Sequence, residues 1–299
     1  TFWDFNTIVM CLFHTGKAPF ENIMISGHGL DRHGRKMSKS KGNVVLPLDI
    51  IKKYSADALR FWASSVKLGE DLNFKEEDLQ VGMRNATKLW NTARFASMHL
   101  KGKPKKPKKL HIVDSWLMQE LNEVIVGATK AFESYEYSKA KAIVENFFWN
   151  TFCDYYLEMV KYRLYSGKGK DSALWTLYNA LLSQIKLFAP FMPFITEEMY
   201  QKLFSASEEP KSIHLSRWPE PYKKIKSKSA IEAGQAAVEC ISAIRKLKKQ
   251  KNLSLAHELE NVTVYHPKVN IAKKAEQDIK ETMRVKNIVF KKGSEVLAA

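Results

Sequence analysis

Leu79-Gln80-Val81-Gly82-Met83-Arg84-Asn85-Ala86-Thr87-Lys88-Leu89-Trp90-Asn91-Thr92-Ala93-Arg94-Phe95-Ala96-Ser97 is the stretch on which the architecture turns. Leu79, Met83, Ala86, Trp90, Ala93 and Ser97 recur at alternating spacings of four and three, the pattern of an amphipathic helix that buries one stripe. Downstream, residues 101–109 form a proline-broken basic tract without an acid, which reads as a linker because proline removes helix hydrogen bonds and the lysines repel one another. Three more helical patterns follow, at about 115–134 (Leu117, Leu121, Val124, Ala128), 138–165 and 172–188, with Gly167 and Pro190 closing the last two. A shorter helix after Pro193 runs to about Phe204, so the middle of the chain reads as an antiparallel helical bundle with short connections.

Both flanks depart from this pattern. Upstream, a helix over 1–15 is broken at Gly16 to Pro19, and Ile23-Met24-Ile25 reads as a short buried strand, which together suit an α/β layer. Asp31-Arg32-His33-Gly34 reads as a turn. Pro47 starts a helix through Tyr54, and Ser55 caps a second over 56–64. At the other end, a helix through Lys251, an alternating strand at Val262-Thr263-Val264-Tyr265, a helix over 271–283 and Ile288-Val289-Phe290 make a small α-β-α-β unit. The expected division is 1–77, 78–222 and 223–299, and the fold class is mainly α.

Composition narrows the partners. A formal net charge of +16 and a pI near 9.5 favour phosphate-rich ligands, nucleic acid before anionic membrane. No apolar run approaches the roughly 18 residues of a membrane span. Cys11, Cys153 and Cys240 are scattered without C-x-x-C spacing, which argues against a disulfide framework and a zinc site and fits a reducing cytoplasm. The chain opens on Thr1 without a leader pattern and is read as a cut from a longer protein.

The densest chemistry lies in Gly34-Arg35-Lys36-Met37-Ser38-Lys39-Ser40-Lys41-Gly42-Asn43, where four basic residues, two hydroxyls and two glycines share ten positions. Ammonium groups neutralise phosphate charge, serines and free N–H groups donate hydrogen bonds, and glycines allow close approach. By composition alone such a loop reads first as a solvated surface turn. The string Lys36-Met37-Ser38-Lys39-Ser40 itself is the second signature of class I aminoacyl-tRNA synthetases, which the chain thereby resembles. Tyr54-Ser55-Ala56-Asp57-Ala58-Leu59-Arg60 and Leu68-Gly69-Glu70-Asp71-Leu72-Asn73-Phe74 resemble the family's flanking segments, with Ser55 in place of the usual glycine and Leu46 where many relatives carry aspartate.

The resemblance implies the end of a Rossmann-like catalytic domain, followed by an anticodon-binding bundle and the small terminal unit. It implies ATP as a substrate, with Mg2+, and a loop that closes on the triphosphate. Lys39 would lie against the phosphates and Lys36 would assist. Met37 would approach the adenine through its backbone, with Ser38 and Ser40 supporting the loop. The first class I signature, His-x-Gly-His, is absent, as is the large editing insertion, so half of the active site is expected elsewhere and the chain alone is expected to be inert.

Within the family the likeness is densest to the valyl enzymes, through residues 146–158 (Asn-Phe-Phe-Trp-Asn-Thr-Phe-Cys-Asp-Tyr-Tyr-Leu-Glu), 189–198 and 212–219. The isoleucyl branch and a non-catalytic tRNA-binding module are the alternatives. Phe147, Phe148, Trp149, Phe152 and Tyr155 read first as packing between helices, and Cys153 as a small buried residue. The implied partners are tRNA, that for valine foremost, together with valine and ATP, in a monomeric protein. Arg245, Lys246, Lys248, Lys249 and Lys251 put five positive charges into seven residues. At helical spacing Arg245, Lys248 and Lys249 share one face, suited to successive phosphates or simply to solvent.

Overall fold

The computed structural model describes residues 2–223, 225 and 227–299; Lys224 and Lys226 of the basic tract at 223–228 lie outside the described residues, as does Thr1. In chain order the elements are α1 (Phe2–Thr15), β1 (Gly29–Leu30), α2 (Pro47–Tyr54), α3 (Ala56–Ala63), β2 (Leu72–Asn73), α4 (Glu76–His99), α5 (Ile112–Glu133) and α6 (Tyr137–Asn146). A π-helix (Phe147–Tyr156) then joins α6 to α7 (Leu157–Ser166), followed by α8 (Lys170–Phe188), α9 (Pro193–Leu203) and α10 (Lys228–Gln250). The chain closes with β3 (Leu259–His266), α11 (Val269–Ala272), α12 (Glu276–Met283), β4 (Val285–Lys292) and β5 (Leu297–Ala298). Two compact units result: Thr1–Val45 with Val66–Lys75, and Leu46–Ser65 with Glu76–Ala299.

In the first unit β1 and β2 pair in parallel, with Gly29 beside Leu72 and Leu30 beside Asn73. The carbonyls of His28 and Leu30 accept the Leu72 and Phe74 N–H groups at 2.9 and 2.8 Å. Gly27 is required here, because a Cβ would fall 2.0 Å from the Glu70 carbonyl oxygen. The expected strand at Ile23-Met24-Ile25 does not form, and these side chains are 49–58% exposed. A strand needs a ladder partner, and among the described residues the one backbone hydrogen bond of this stretch is that of the Ile25 carbonyl, from Gly69 N–H at 3.1 Å.

The second unit is built on α4, whose buried residues are Leu79, Gly82, Asn85, Leu89, Thr92, Ala93 and Ala96. That stripe shares only Leu79 and Ala93 with the expected one, and Met83 is 38% exposed. The rotation has two causes. Gly82 admits the backbone of α3, since a Cβ there would stand 2.8 Å from the Ala58 Cα. Asn85 is buried because its amide is fully used, donating to Val81 O (3.1 Å) and Glu145 Oε1 (2.9 Å) and accepting from Trp149 Nε1 (2.6 Å). The hydrophobic core runs through α4, α5, the continuous α6–π–α7 rod, α8 and α9, and onward to α10 and the terminal sheet without a break.

Residues 228–299 form the expected α-β-α-β order with one addition. β3 pairs with β4 in parallel and with β5 antiparallel, in the order β4-β3-β5. Val262, Val264 and His266 alternate onto the buried face of β3. The expected single helix over 271–283 is divided by a 3-10 turn at Lys273–Ala275. α10 lies along α5 so closely that a Cβ at Gly234 would stand 2.0 Å from the Trp116 ring.

One polar knot ties these layers together. Asp114 on α5 accepts both terminal nitrogens of Arg163 on α7 at 2.7 Å, together with the hydroxyls of Tyr156 and Ser172. Asp278 on α12 lies 3.7 Å from Arg163 Nε. All three charged side chains are at most 1% exposed. Two carboxylates thus share one guanidinium, and burial pushes the Asp278 carboxyl up to about 7. Among the described residues no helix is long and apolar enough to cross a membrane.

Candidate phosphate loop and nucleic-acid surfaces

The loop at 34–43 is fixed at its base and free at its tip. Asp31, 5% exposed, accepts the N–H groups of His33 and Arg35 on one oxygen, and Arg35 Nε and Asn43 Nδ2 on the other, at 2.9 to 3.0 Å. The Asn43 amide foremost, with the Arg35 and His33 donors, holds the Asp31 carboxyl well below the usual carboxylate range. Asn43 also accepts Ser38 N–H at 3.0 Å and donates to the Lys36 carbonyl at 3.3 Å, so one side chain clamps both sides of the loop. Leu30 and Lys36 form a single antiparallel bridge, and Gly34 turns the chain at φ +74°.

Between these anchors, Lys39–Lys41 make one 3-10 turn that Gly42 ends in the left-handed region at φ +65°. Ser38 Oγ lies 3.3 Å from Ser40 Oγ. The side chains of Lys36, Lys39 and Lys41 are exposed, and none has an ion-pair partner among the described residues, while Met37 is half-buried. Such a loop presents unpaired ammonium groups on an ordered frame, which suits a polyphosphate. Sequence reading placed Asp31 in a turn but missed it and Asn43 as the clamp. The available signal was an Asp three residues before a Gly, the donor-rich start of a tight turn. The Asp31 carboxylate already receives four N–H donors, and among the described residues no group of three or more His, Cys, Asp or Glu is placed to hold a metal.

The basic end of α10 is divided by burial. Lys248 is 0% exposed, and its ammonium donates to the carbonyls of Leu255 (3.0 Å), His257 (2.6 Å) and Met283 (2.7 Å). Burial, and then the charge of Arg284, lower its pKa. The expectation that Lys248 shares a solvent face with Arg245 and Lys249 therefore fails: it is a buried tie between α10, the following loop and the end of α12. Arg245 is half-buried, stacked 4.8 Å over the Tyr155 ring and donating to the Asp154 carbonyl at 2.7 Å. Lys246 and Lys249 remain exposed.

Of the aromatic run, Phe147, Phe148 and Phe152 are core and Cys153 is buried, its thiol pushed up to about 12 by burial. Trp149 and Tyr155 are only half-buried, and each lies under a cation. A further aromatic group, not singled out in the sequence, sits where α4 ends and α7 ends. Phe95, His99 and Tyr165 meet edge to face at centroid distances of 5.1 and 4.9 Å, and Tyr165 is 68% exposed. Burial, and then the charges of Lys170 and Lys101, lower the His99 pKa. An exposed ring on an aromatic stack beside lysines is suited to unpaired bases.

Comparison with known proteins places both regions. Residues 1–75 match the family model described as tRNA synthetases class I (I, L, M and V), and residues 114–264, about half of the chain, match the anticodon-binding domain of tRNA ligase. A valine–tRNA ligase of Haloarcula marismortui is 42% identical over 268 residues, covering 89% of this chain and 29% of the relative. One of Thermococcus kodakarensis is 38% identical, covering 97% of this chain and 33% of the relative. One of Ehrlichia canis is 37% identical, covering 96% and 36%. The chain thus spans about a third of the length of these relatives. Among solved structures, LeuRS of Agrobacterium radiobacter K84, in a ternary complex with tRNA and LeuAMS, superposes with a TM-score of 0.57 at 22% identity, over 74% of this chain and 27% of that one, a likeness of fold.

Proposed function

Because the chain belongs to the class I tRNA synthetases, we propose that it supplies the ATP-phosphate loop and the tRNA-holding body of a valine–tRNA ligase. The observation that carries this reading is the pair of exposed ammonium groups of Lys36 and Lys39, without ion-pair partners among the described residues, on a loop whose base is clamped by Asp31 and Asn43. In the reaction, the valine carboxylate attacks the α-phosphorus of ATP and pyrophosphate leaves. Negative charge builds on phosphate oxygens at that moment, so an ammonium already aimed there lowers the barrier without reorganising. Lys39 takes this role, with Lys36 beside it, while Ser38 and Ser40 keep the turn. The valyl assignment rests on the relatives, all three of which are valine–tRNA ligases.

For the body, the proposal is that tRNA for valine lies on the basic surface. Lys246 and Lys249 fix register on phosphates, and unpaired anticodon bases stack at the Phe95–His99–Tyr165 cluster. The decisive experiment is ATP–pyrophosphate exchange by the complete ligase with valine or isoleucine as the amino acid. Valine-dependent exchange is expected. Exchange with isoleucine alone would replace the assignment by the isoleucyl one, and no exchange with either would leave a tRNA-binding module. In parallel, tRNA binding to the chain should weaken steeply with salt, and anticodon changes should weaken it beyond that electrostatic loss.

A further inference from the structure

A cavity of about 460 Å³ opens between α4 and the junction of α6 with the π-helix, separate from the aromatic cluster above. Its size falls in the range of small-ligand pockets. One wall is the half-buried indole of Trp149, whose Nε1 is held by Asn85, and the Lys88 ammonium stands 5.1 Å from the centre of that ring. Asn146 and Asn150, on the same rod, also line the cavity. Asn150 Nδ2 donates to Asn146 Oδ1 at 2.7 Å, which leaves the Asn146 amino group and the Asn150 carbonyl oxygen without a partner among the described residues. A fixed donor and a fixed acceptor side by side match the edge of a nucleobase, and an indole supplies a surface for its face. Arg84 is exposed in the lining without an ion-pair partner among the described residues, placed for a phosphate. The one carboxylate in the cavity, Glu145, is already engaged by Lys141 at 3.3 Å and by Asn85.

The backbone supports the same reading. Trp149 and Asn150 lie in a ten-residue π-helix, a geometry that is rare because its hydrogen bonds and packing are poorer and that occurs mostly at functional sites. The wider turn carries three core phenylalanines inward and still presents Trp149 and Asn150 at the cavity.

We propose that this cavity binds a single unpaired base of the tRNA, stacked on Trp149 and read at its edge by Asn146 and Asn150. The inference rests on the tRNA-binding reading of the chain. Its test is the affinity of the chain for a tRNA-Val transcript, compared with a fully paired RNA duplex of similar length, for Trp149→Ala, Trp149→Phe, Asn150→Ala and Arg84→Ala. Trp149→Ala should lose about 5- to 100-fold for the transcript, the range of one base–aromatic stack, with little change for the duplex. Trp149→Phe should restore part of this. Asn150→Ala, a surface change that leaves the core intact, should lose about 5-fold at an unchanged salt slope, whereas Arg84→Ala should reduce that slope by about 1. Transcript affinity unchanged within twofold in both Trp149→Ala and Asn150→Ala would overturn the proposal while leaving tRNA binding standing. Failure of the wild-type chain to bind the transcript at low salt would overturn the tRNA reading itself. Should Trp149→Ala not fold, Asn150→Ala and Trp149→Phe decide alone.

Discussion

The loop at 34–43 and the end of α10 are similarly rich in cations, but they hold them in opposite environments. In the loop, the one buried acid, Asp31, receives backbone N–H groups and the Arg35 and Asn43 side chains, so Lys36, Lys39 and Lys41 keep their charges in water. At α10, Lys248 turns inward onto three carbonyls, and Arg245 folds onto Tyr155. Charge density along a sequence therefore does not measure charge available to a partner. What decides is whether the position falls on the apolar stripe of its element. Lys248 stands seven residues after Ile241 and four after Ile244, both buried, and so occupies a core position of α10. Arg163 belongs with it: a cation consumed by the fold, paired with Asp114 and facing Asp278.

The sharpest way to break this contrast is to remove a cation of each kind. Arg163→Ala leaves the buried Asp114 carboxyl without its ion-pair partner, so it should cost about 3–5 kcal/mol of stability in chemical denaturation. A loss below about 1 kcal/mol would mean that the knot is not a structural tie. Lys39→Ala in the complete ligase should leave stability unchanged and slow valine-dependent ATP–pyrophosphate exchange by about 100- to 1,000-fold, mostly in kcat. An unchanged rate would remove Lys39 from the mechanism. Lys248→Ala should do the reverse, destabilising by about 3 kcal/mol through the carbonyls left unpaired, with the salt dependence of tRNA binding retained in the folded variant. A reduced salt slope there would return Lys248 to the phosphate-binding surface.

Smaller effects sharpen the comparison. Asp278 titrates near 7 in the folded state against about 4 when unfolded, so the folded chain holds its proton more tightly. This contribution to stability is present at low pH and is lost as pH rises from about 4 to about 7. Asp278→Asn should remove that decline, seen as a few degrees of melting temperature between pH 5 and pH 8 relative to the wild type. His111, 3.9 Å from Asp278, has a pKa lowered by burial and then by Arg163, and it acts with the opposite sign, so the difference between the two proteins is the quantity to follow. An equal pH profile in both would show that Asp278 stays ionised. The smallest effect belongs to Lys249→Ala, which should lower the salt slope of tRNA binding by about 1 without a change in stability.

Much of this organisation was legible in the sequence. Helix α2 begins at Pro47 and ends at Tyr54, as the proline and the apolar spacing require, and Ser55 does cap α3 by accepting Ala58 N–H at 3.2 Å. It does so at φ +112°, a strained position for any residue but glycine, which accounts for the glycine that the resembling family carries there. The bundle and the terminal α-β-α-β order followed from periodicity, because burial of one stripe repeats at the period of the element that makes it.

Local pattern left three things open, and tertiary contacts settled them. The buried stripe of α4 rotated away from Met83 because Gly82 lets α3 approach and Asn85 finds three polar partners on other turns and another helix. Ile23-Met24-Ile25 has strand composition but gains no ladder, since a strand is made by its neighbour as much as by its own residues. The clamp on the basic loop joins Asp31 to Asn43, twelve positions away, a distance over which no helical or strand period carries information. The sequence by itself determined the helices of the bundle, the basic character and the Lys-Met-Ser-Lys-Ser string. Only the tertiary structure decided which cations remain free to bind, because solvent exposure is a property of packing between distant segments.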